Sequence, residues 1–264
     1  MKAQLTPTTA IEYDDAGQGP VVVLIHAFPL SRAMWQPQVA ALQSDHRVIV
    51  PDVRGFGGSS AFADPPSVDQ AAADVAALLD HLKITTPIVL GGLSMGGYIA
   101  LAFARQHPER LRGLVLADTR AEPDNDEGKS NRDKLIAFTR NHSALEVIDS
   151  TMAKMVSNET RTKKTDVVEE VRRIAKAQTV DGVVAALQML RDRPDARPGL
   201  AQITVPTLVI VGSDDAITPL GAAAVLVAGI PGSKLAEIPG AGHLSNLEQP
   251  AAFNAALRAF LQSV

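Results

Sequence analysis

The segment that decides the fold of this chain joins a short apolar run to a helical pattern through closely spaced glycines. It reads Ile88-Val89-Leu90-Gly91-Gly92-Leu93-Ser94-Met95-Gly96-Gly97. The run from Pro87 to Leu90 is typical of a strand buried on both faces, and the apolar spacing from Met95 to His107 predicts a helix. The motif Gly-x-Ser-x-Gly therefore lies at a predicted strand-to-helix turn, with Ser94 at its centre.

This setting makes Ser94 a candidate nucleophile. A sharp turn from strand to helix strains the central residue and holds its hydroxyl above the sheet. The flanking residues must be small, and Gly92, Gly96 and Gly97 meet that requirement. The N-terminus of the following helix then points at the reacting group, where it favours negative charge. The alternative is a glycine-rich junction with an incidental serine; the strand, the helix and the partners downstream argue against it.

Four more apolar runs predict further strands of the same sheet. They are Val21–Ile25, Arg47–Val50, Leu114–Leu116 and Thr207–Val211. Helical patterns lie between several of them, such as Val68 to Lys83 with Ser67 as its N-cap, and the polar segment Ala3 to Asp15 predicts an edge hairpin. Because strands and helices alternate, the sequence predicts an α/β fold, with a mostly parallel twisted sheet and helices on both faces.

The alternation stops between Thr119 and Pro198, where the sequence is charged and offers no strand candidate. Its apolar residues recur at helical spacing, in the sets Leu145, Ile148, Met152 and Met155, then Val167, Val171 and Ile174, then Val183, Leu187 and Leu190. We therefore expect an inserted helical cap over residues 119–198. The core domain would consist of residues 1–118 and 199–264.

A serine needs a base to activate it and a third group to orient that base. After a Gly-x-Ser-x-Gly turn the expected chain order is serine, acid, histidine. Asp214 and Asp215 follow the predicted strand Thr207–Val211, and their spacing alone does not choose between them. His243 comes next, in a glycine-rich loop after a short predicted strand, Leu235–Ile238.

The other five histidines do not fit this order. His46, His81, His107 and His142 fall in predicted helices or at their ends, where a solvated surface role is expected. His26 ends the first predicted core strand. His243 is therefore the candidate general base.

The composition narrows the classes of function. The chain has 264 residues and no cysteine, which excludes disulfides, thiolate metal sites and a cysteine nucleophile. Its net charge of −4 gives no reason to expect a nucleic acid partner. The N-terminus lacks the apolar core of a signal peptide, and no apolar stretch has the length of a membrane span. We expect a soluble cytoplasmic protein with no membrane partner; the sequence leaves a homo-oligomer open.

Four segments together resemble the α/β-hydrolase superfamily, and the resemblance covers nearly the whole chain. They are His26-Ala27-Phe28-Pro29, Asp52-Val53-Arg54-Gly55-Phe56-Gly57-Gly58-Ser59, Gly91-Gly92-Leu93-Ser94-Met95-Gly96-Gly97, and Gly242-His243 with Glu248 and Pro250 behind it. The chain is most similar to small bacterial carboxylesterases and 3-oxoadipate enol-lactonases.

The resemblance assigns roles to individual residues. In such families the acid is the fourth residue of a Gly-x-x-Asp turn with proline a few residues on, which favours Asp215. The oxyanion hole would consist of the backbone N–H groups of Phe28 and Met95. The family has glycine where this chain has Ala27, a mild departure. His26 would brace the oxyanion loop through side-chain hydrogen bonds.

The sequence thus predicts a serine hydrolase that cleaves small to medium carboxylic esters through an acyl-enzyme, without a metal or organic cofactor. A lactonase, of the enol-lactonase or acyl-homoserine-lactone type, is the alternative. A cofactor-free haloperoxidase or perhydrolase shares the serine triad and stays open as a side activity. The intact triad and the bacterial-type cap argue against a further alternative, a non-catalytic ligand receptor. Serine at position 94 argues against haloalkane dehalogenases and epoxide hydrolases, which need a carboxylate there.

The substrate pocket is the least constrained part of this prediction. Met152, Met155 and Met189 are candidates to line an apolar pocket, because methionine adapts to irregular shapes. Trp35, the only tryptophan, lies near the oxyanion loop and is a fourth candidate. For each of these side chains, simple packing of a helix is the alternative. The low aromatic content, 4%, argues against a large lipid-binding face.

Overall fold

The structure is a computed structural model that describes residues 1–63 and 65–264. One eight-stranded sheet runs through it, in the order β1-β2-β4-β3-β5-β6-β7-β8. The strands are β1 (Lys2–Thr6), β2 (Thr9–Ala16), β3 (Val21–Ile25), β4 (Arg47–Pro51), β5 (Ile88–Leu93), β6 (Leu111–Ala117), β7 (Thr207–Gly212) and β8 (Lys234–Ile238). The β1–β2 and β2–β4 pairs are antiparallel, and the pairs from β4 through β8 are parallel. The predicted sheet and edge hairpin are confirmed.

The helices are α1 (Gln36–Leu42), α2 (Val68–His81), α3 (Met95–Gln106), α4 (Asp126–Thr139), α5 (Ala144–Met155), α6 (Asn158–Lys163), α7 (Thr165–Lys176), α8 (Val180–Asp192), α9 (Leu220–Gly229), α10 (Ser245–Glu248) and α11 (Pro250–Leu261). The Ser67 hydroxyl caps α2 by accepting from the Gln70 N–H, as predicted. In the described part of the chain, none of the helices is both long enough and apolar enough to cross a membrane.

Successive strand residues bury against opposite faces of the sheet. Val23 and Ile25 of β3 belong to one hydrophobic cluster, which also includes residues of α2, α3 and α9. Val22 and Leu24 belong to a second cluster, which includes residues of α1 and α11. Because side chains alternate along a strand and both faces of the sheet are covered, β3 is apolar at every position. The α/β fold class is confirmed.

The central strand β5 is longer than the apolar run that predicts it. The prediction ends at Leu90, because glycines usually interrupt strands. In the structure Gly91 and Gly92 pair with Val115 and Leu116 of β6, so the strand runs to Leu93. These glycines serve close packing: a Cβ on Gly91 would lie 2.7 Å from a Leu24 methyl carbon.

Five α-helices, α4 to α8, fill the connection between β6 and β7. Side chains at their N-caps hold several of them, including Asn125 for α4, Ser143 for α5 and Thr179 for α8. Helix α4 packs on α8, and α5 packs on α7. The helical nature of this stretch is therefore as predicted; its boundaries as a separate cap remain a prediction.

Candidate active site

Ser94 stands between the last residue of β5 and the first residue of α3, with φ +54° and ψ −110°. Residues other than glycine rarely adopt a positive φ, so the backbone at Ser94 is strained. A Cβ on Gly92 would lie 2.1 Å from the Gly96 carbonyl oxygen, and one on Gly96 would lie 2.1 Å from the Ile25 carbonyl oxygen. Only glycine permits these approaches, which let α3 pack against the ends of β3 and β5.

His243 reaches the serine from the loop between β8 and α10. Its Nε2 lies 2.8 Å from Ser94 Oγ, although 149 positions separate the two residues in the chain. His243 is buried, whereas Ser94 is partly exposed. This distance is within the range for transfer of the hydroxyl proton to a neutral imidazole.

Asp215 lies on the other side of the imidazole, with Oδ2 2.9 Å from His243 Nδ1. The Thr218 hydroxyl donates to Oδ2, and the N–H groups of Ile217 and Thr218 donate to Oδ1. Burial opposes the ionisation of Asp215. The charge of His243, the hydrogen bond to His243 and the hydrogen bonds from Thr218 outweigh burial and lower the pKa of Asp215 to about 2. The neighbouring Asp214 is exposed and accepts from the Ser213 hydroxyl. The structure thus brings Asp215, not Asp214, to the imidazole.

The two predicted oxyanion donors lie on neighbouring segments. Met95 opens α3, and Phe28 follows β3 on a loop against which the first turn of α3 packs: a Cβ on Gly96 would lie 3.1 Å from the His26 carbonyl oxygen. Neither the Phe28 nor the Met95 N–H has a hydrogen-bond partner among residues 1–63 and 65–264. Unpartnered amides beside a nucleophile are the groups that an oxyanion requires.

His26, the first residue of this loop after β3, is fully buried. Its Nδ1 lies 2.9 Å from the Ala27 carbonyl oxygen, and its Nε2 accepts from the Val53 N–H. Burial lowers its pKa, against the opposing charge of Asp52. A neutral ring with Nδ1 protonated satisfies both bonds. Ala27 is buried too and is not among the residues with positive φ, so alanine fits there without backbone strain.

The expectation of a surface role was wrong for His46. It is 8% exposed, in the bend between α1 and β4, where its backbone lies close to Gly17. A Cβ on Gly17 would lie 2.2 Å from the His46 carbonyl oxygen. Of the other three, His81 is exposed, and His107 and His142 are half-buried.

The four candidate pocket residues are buried within the hydrophobic clusters. Trp35, Met152 and Met155 belong to the cluster that includes α11, where the Trp35 ring lies 5.9 Å from that of Phe253. Met189 belongs to the cluster on the opposite face. All four are at most 7% exposed. Their role in substrate binding stays a prediction.

Sequence reasoning missed Asp118, a fully buried aspartate directly after β6. Its Oδ1 accepts from the Gly212 N–H, its Oδ2 interacts with the Ser245 hydroxyl, and its φ is +43°. Burial, reinforced by the nearby charge of Asp215, raises the pKa of Asp118 well above its usual range. The one available signal was its position at a strand's carboxyl end, the edge of the sheet at which Ser94 and Asp215 also lie.

A family model described as "alpha/beta hydrolase fold" matches residues 20–250. The chain belongs to the α/β-hydrolase family. Among its relatives, "3-oxoadipate enol-lactonase 2" of Acinetobacter baylyi is 31% identical over 255 residues, which cover 96% of this chain and 93% of that protein.

Two solved structures show the same fold over nearly their whole length. A thermophilic esterase from Thermogutta terrifontis is 39% identical with a TM-score of 0.95, covering 100% of this chain and 98% of that one. A bromoperoxidase from Bacillus anthracis is 28% identical with a TM-score of 0.88, covering 99% and 98%. The esterase and the enol-lactonase support the prediction that this chain is a carboxylic ester hydrolase.

Proposed function

We propose that this chain is a serine hydrolase that cleaves small to medium carboxylic esters through an acyl-enzyme. The observation that carries the proposal is one line of hydrogen bonds, from Ser94 Oγ to His243 Nε2 at 2.8 Å and from His243 Nδ1 to Asp215 Oδ2 at 2.9 Å. A hydroxyl, an imidazole and a low-pKa carboxylate in that order supply a nucleophile, a base and an orienting acid.

In this mechanism Ser94 Oγ attacks the ester carbonyl carbon while His243 Nε2 takes the hydroxyl proton. The carbonyl oxygen becomes an oxyanion, which accepts from the Phe28 and Met95 N–H groups; each such donor contributes roughly 3 kcal/mol. His243 then protonates the leaving alcohol oxygen as its bond to carbon breaks. Water, deprotonated by His243, attacks the acyl-enzyme and releases the acid and free Ser94. Asp215 stays ionised and holds Nδ1–H throughout.

The proposal is tested by Ser94→Ala with p-nitrophenyl acetate as the substrate. We expect kcat to fall by about 10⁴-fold or more, because the nucleophile is gone. Labelling of the wild type by an organophosphate, with mass gain on the peptide that contains Ser94, is the second readout. Turnover by purified, folded Ser94→Ala at the rate of the wild type would overturn the serine mechanism.

Lactones are the second candidate substrate class, favoured by the 31% identity to an enol-lactonase over 96% of the chain. A lactone presents the same carbonyl to the same groups, so discrimination must come from the walls of the pocket. A panel of p-nitrophenyl esters and simple lactones measures the preference. If α4 to α8 roof a compact pocket, acetate or butyrate esters will have higher kcat/KM than palmitate.

The predicted pocket residues are tested with the same panel. Met152→Ala and Met155→Ala should shift the preferred acyl chain length more than they lower acetate turnover. Preference for palmitate, together with an unchanged profile in both variants, would contradict a compact pocket lined by these side chains.

A further inference from the structure

The Glu248 carboxylate is buried beside the loop that carries His243, and the mechanism above does not use it. Glu248 ends α10 and is 1% exposed. Its Oε1 accepts from the Gly242 N–H at 2.9 Å and from the Leu244 N–H at 3.3 Å. One oxygen therefore holds the backbone on both sides of the imidazole.

The other carboxylate oxygen and the backbone carbonyl of Glu248 bind α6, one of the helices between β6 and β7. Its Oε2 accepts at 2.8 Å from the N–H of Ser157, the N-cap of α6. Its backbone carbonyl accepts at 2.7 Å from Nζ of Lys164, the C-cap residue of the same helix. Both ends of α6 are thus tied to the residue that fixes the His243 loop.

The backbones themselves are in close contact at this junction. A Cβ on Gly242 would lie 2.5 Å from the Ser157 nitrogen and 2.7 Å from the Val156 carbonyl carbon. A shift of α6 towards Gly242, the residue before the base, would therefore bring the two backbones into collision. Hydrogen bonds to a buried carboxylate are among the stronger ones in proteins, so Glu248 holds the His243 loop and α6 firmly together.

We propose that Glu248 is a positioning residue that sets the place of His243 relative to Ser94 and couples it to α6. This inference rests on the proposed function, because it assumes that His243 acts as the base. Catalytic groups must be placed closely, and a displacement of about 1 Å can cost on the order of 100-fold in rate.

The first test is Glu248→Gln. Glutamine keeps the volume but has one acceptor oxygen, so its NH₂ must face an N–H of either the His243 loop or Ser157. With p-nitrophenyl acetate, and with rates divided by organophosphate-titrated sites, we expect kcat to fall roughly 10- to 100-fold while KM changes less than about threefold. Glu237→Gln, the same change on an exposed residue of β8, is the matched control and should match the wild type.

The second test isolates the bond to α6. Ser157→Pro removes the N–H that Glu248 accepts, and the native φ of −61° suits proline. Ser157→Ala loses the same capping hydroxyl but keeps the N–H. We expect Ser157→Pro to lower kcat per titrated site at least about fivefold below Ser157→Ala, and to add little in the Glu248→Gln background.

The outcomes separate this inference from the proposed function. Activity in Ser94→Ala overturns the function. An inactive Ser94→Ala with an unchanged kcat per site in Glu248→Gln overturns the positioning role. Equal effects of Ser157→Pro in both backgrounds overturn the coupling to α6. If Glu248→Gln does not fold, the Ser157→Pro and Ser157→Ala pair decides the coupling, and equal rates in the two refute it.

Discussion

The loops that follow β6 and β7 each bury an aspartate at the same edge of the sheet, and the pKa values of the two carboxyls are shifted in opposite directions. Asp215, after β7, has a pKa lowered to about 2. Asp118, after β6, has a pKa raised well above its usual range. Both are buried, and burial opposes ionisation in both. Burial alone therefore does not account for the opposite shifts.

The partners of each carboxyl separate them. Asp215 accepts from two backbone N–H groups and the Thr218 hydroxyl, and it faces His243. Asp118 has one backbone N–H and one hydroxyl, and it faces the charges of Asp215 and Glu248. Two neighbouring carboxyls that share a buried site do not both ionise readily. Ionisation is favoured at Asp215, because the imidazole and the extra hydrogen-bond donors stabilise its carboxylate.

Among the substitutions that remove one of these two carboxyls, we expect Asp215→Asn to have the largest effect, a loss of kcat. The amide cannot stabilise the imidazolium, and its NH₂ favours the wrong tautomer of His243, so kcat should fall on the order of 10³- to 10⁴-fold. Steady-state hydrolysis of p-nitrophenyl acetate measures this. The control is Asp214→Asn, an exposed neighbour, which should stay within about threefold of the wild type. The reverse pattern would show that the acid was misassigned by one residue.

The second effect is on stability, through Asp118→Ala. Alanine leaves the Gly212 N–H and the Ser245 hydroxyl without their partner, and it is poorly suited to the φ of +43°. Two unsatisfied buried groups predict a loss of roughly 2–4 kcal/mol in the free energy of unfolding. Urea denaturation measures it. A midpoint and slope equal to those of the wild type would mean that the hydrogen bonds of Asp118 to Gly212 and Ser245 do not contribute to stability.

Local patterns were sufficient for most of the sheet, because a buried parallel strand is apolar at successive positions. They ended β5 too early, since a glycine needed for packing looks the same in sequence as a glycine needed for a turn. In the site, spacing left Asp214 and Asp215 open, and the resemblance to known hydrolases favoured Asp215. Asp118 carried no motif: its partners Gly212 and Ser245 lie 94 and 127 positions away. Such contacts exist only once the chain has folded.

The third prediction concerns how stability depends on pH. As the pH rises, the contribution of Asp215 to stability should increase and that of Asp118 should decrease. Asp215 titrates near 3.8 when unfolded and near 2 when folded, so it contributes about 2 kcal/mol above pH 4 that is lost as the pH falls towards 2. Asp118 keeps its proton in the folded state after the unfolded chain has lost it, so its contribution falls as the pH rises above about 3.8.

Urea unfolding of Asp215→Asn and Asp118→Asn at a series of pH values tests these signs. Relative to the wild type, Asp215→Asn should lose its disadvantage as the pH falls below 4, and Asp118→Asn should gain stability as the pH rises above it. Asp214→Asn gives the baseline. Parallel curves for the two buried variants would contradict the opposite pKa shifts of the two carboxyls.

The smallest expected effect is that of Asp118→Asn on activity, and it gives the sharpest test of the comparison. Asp118 Oδ1 accepts from the Gly212 N–H, and its Oδ2 accepts from the Ser245 hydroxyl. The carbonyl of asparagine can accept the Gly212 N–H, and its NH₂ can donate to the Ser245 oxygen, because a hydroxyl both donates and accepts. Asparagine also tolerates a positive φ better than most residues. We therefore expect kcat/KM for p-nitrophenyl acetate within about threefold of the wild type, against the loss of on the order of 10³-fold or more for Asp215→Asn. A tenfold or greater fall in Asp118→Asn, in a protein of normal stability, would mean that activity depends on the negative charge of Asp118, contrary to the upward shift of its pKa.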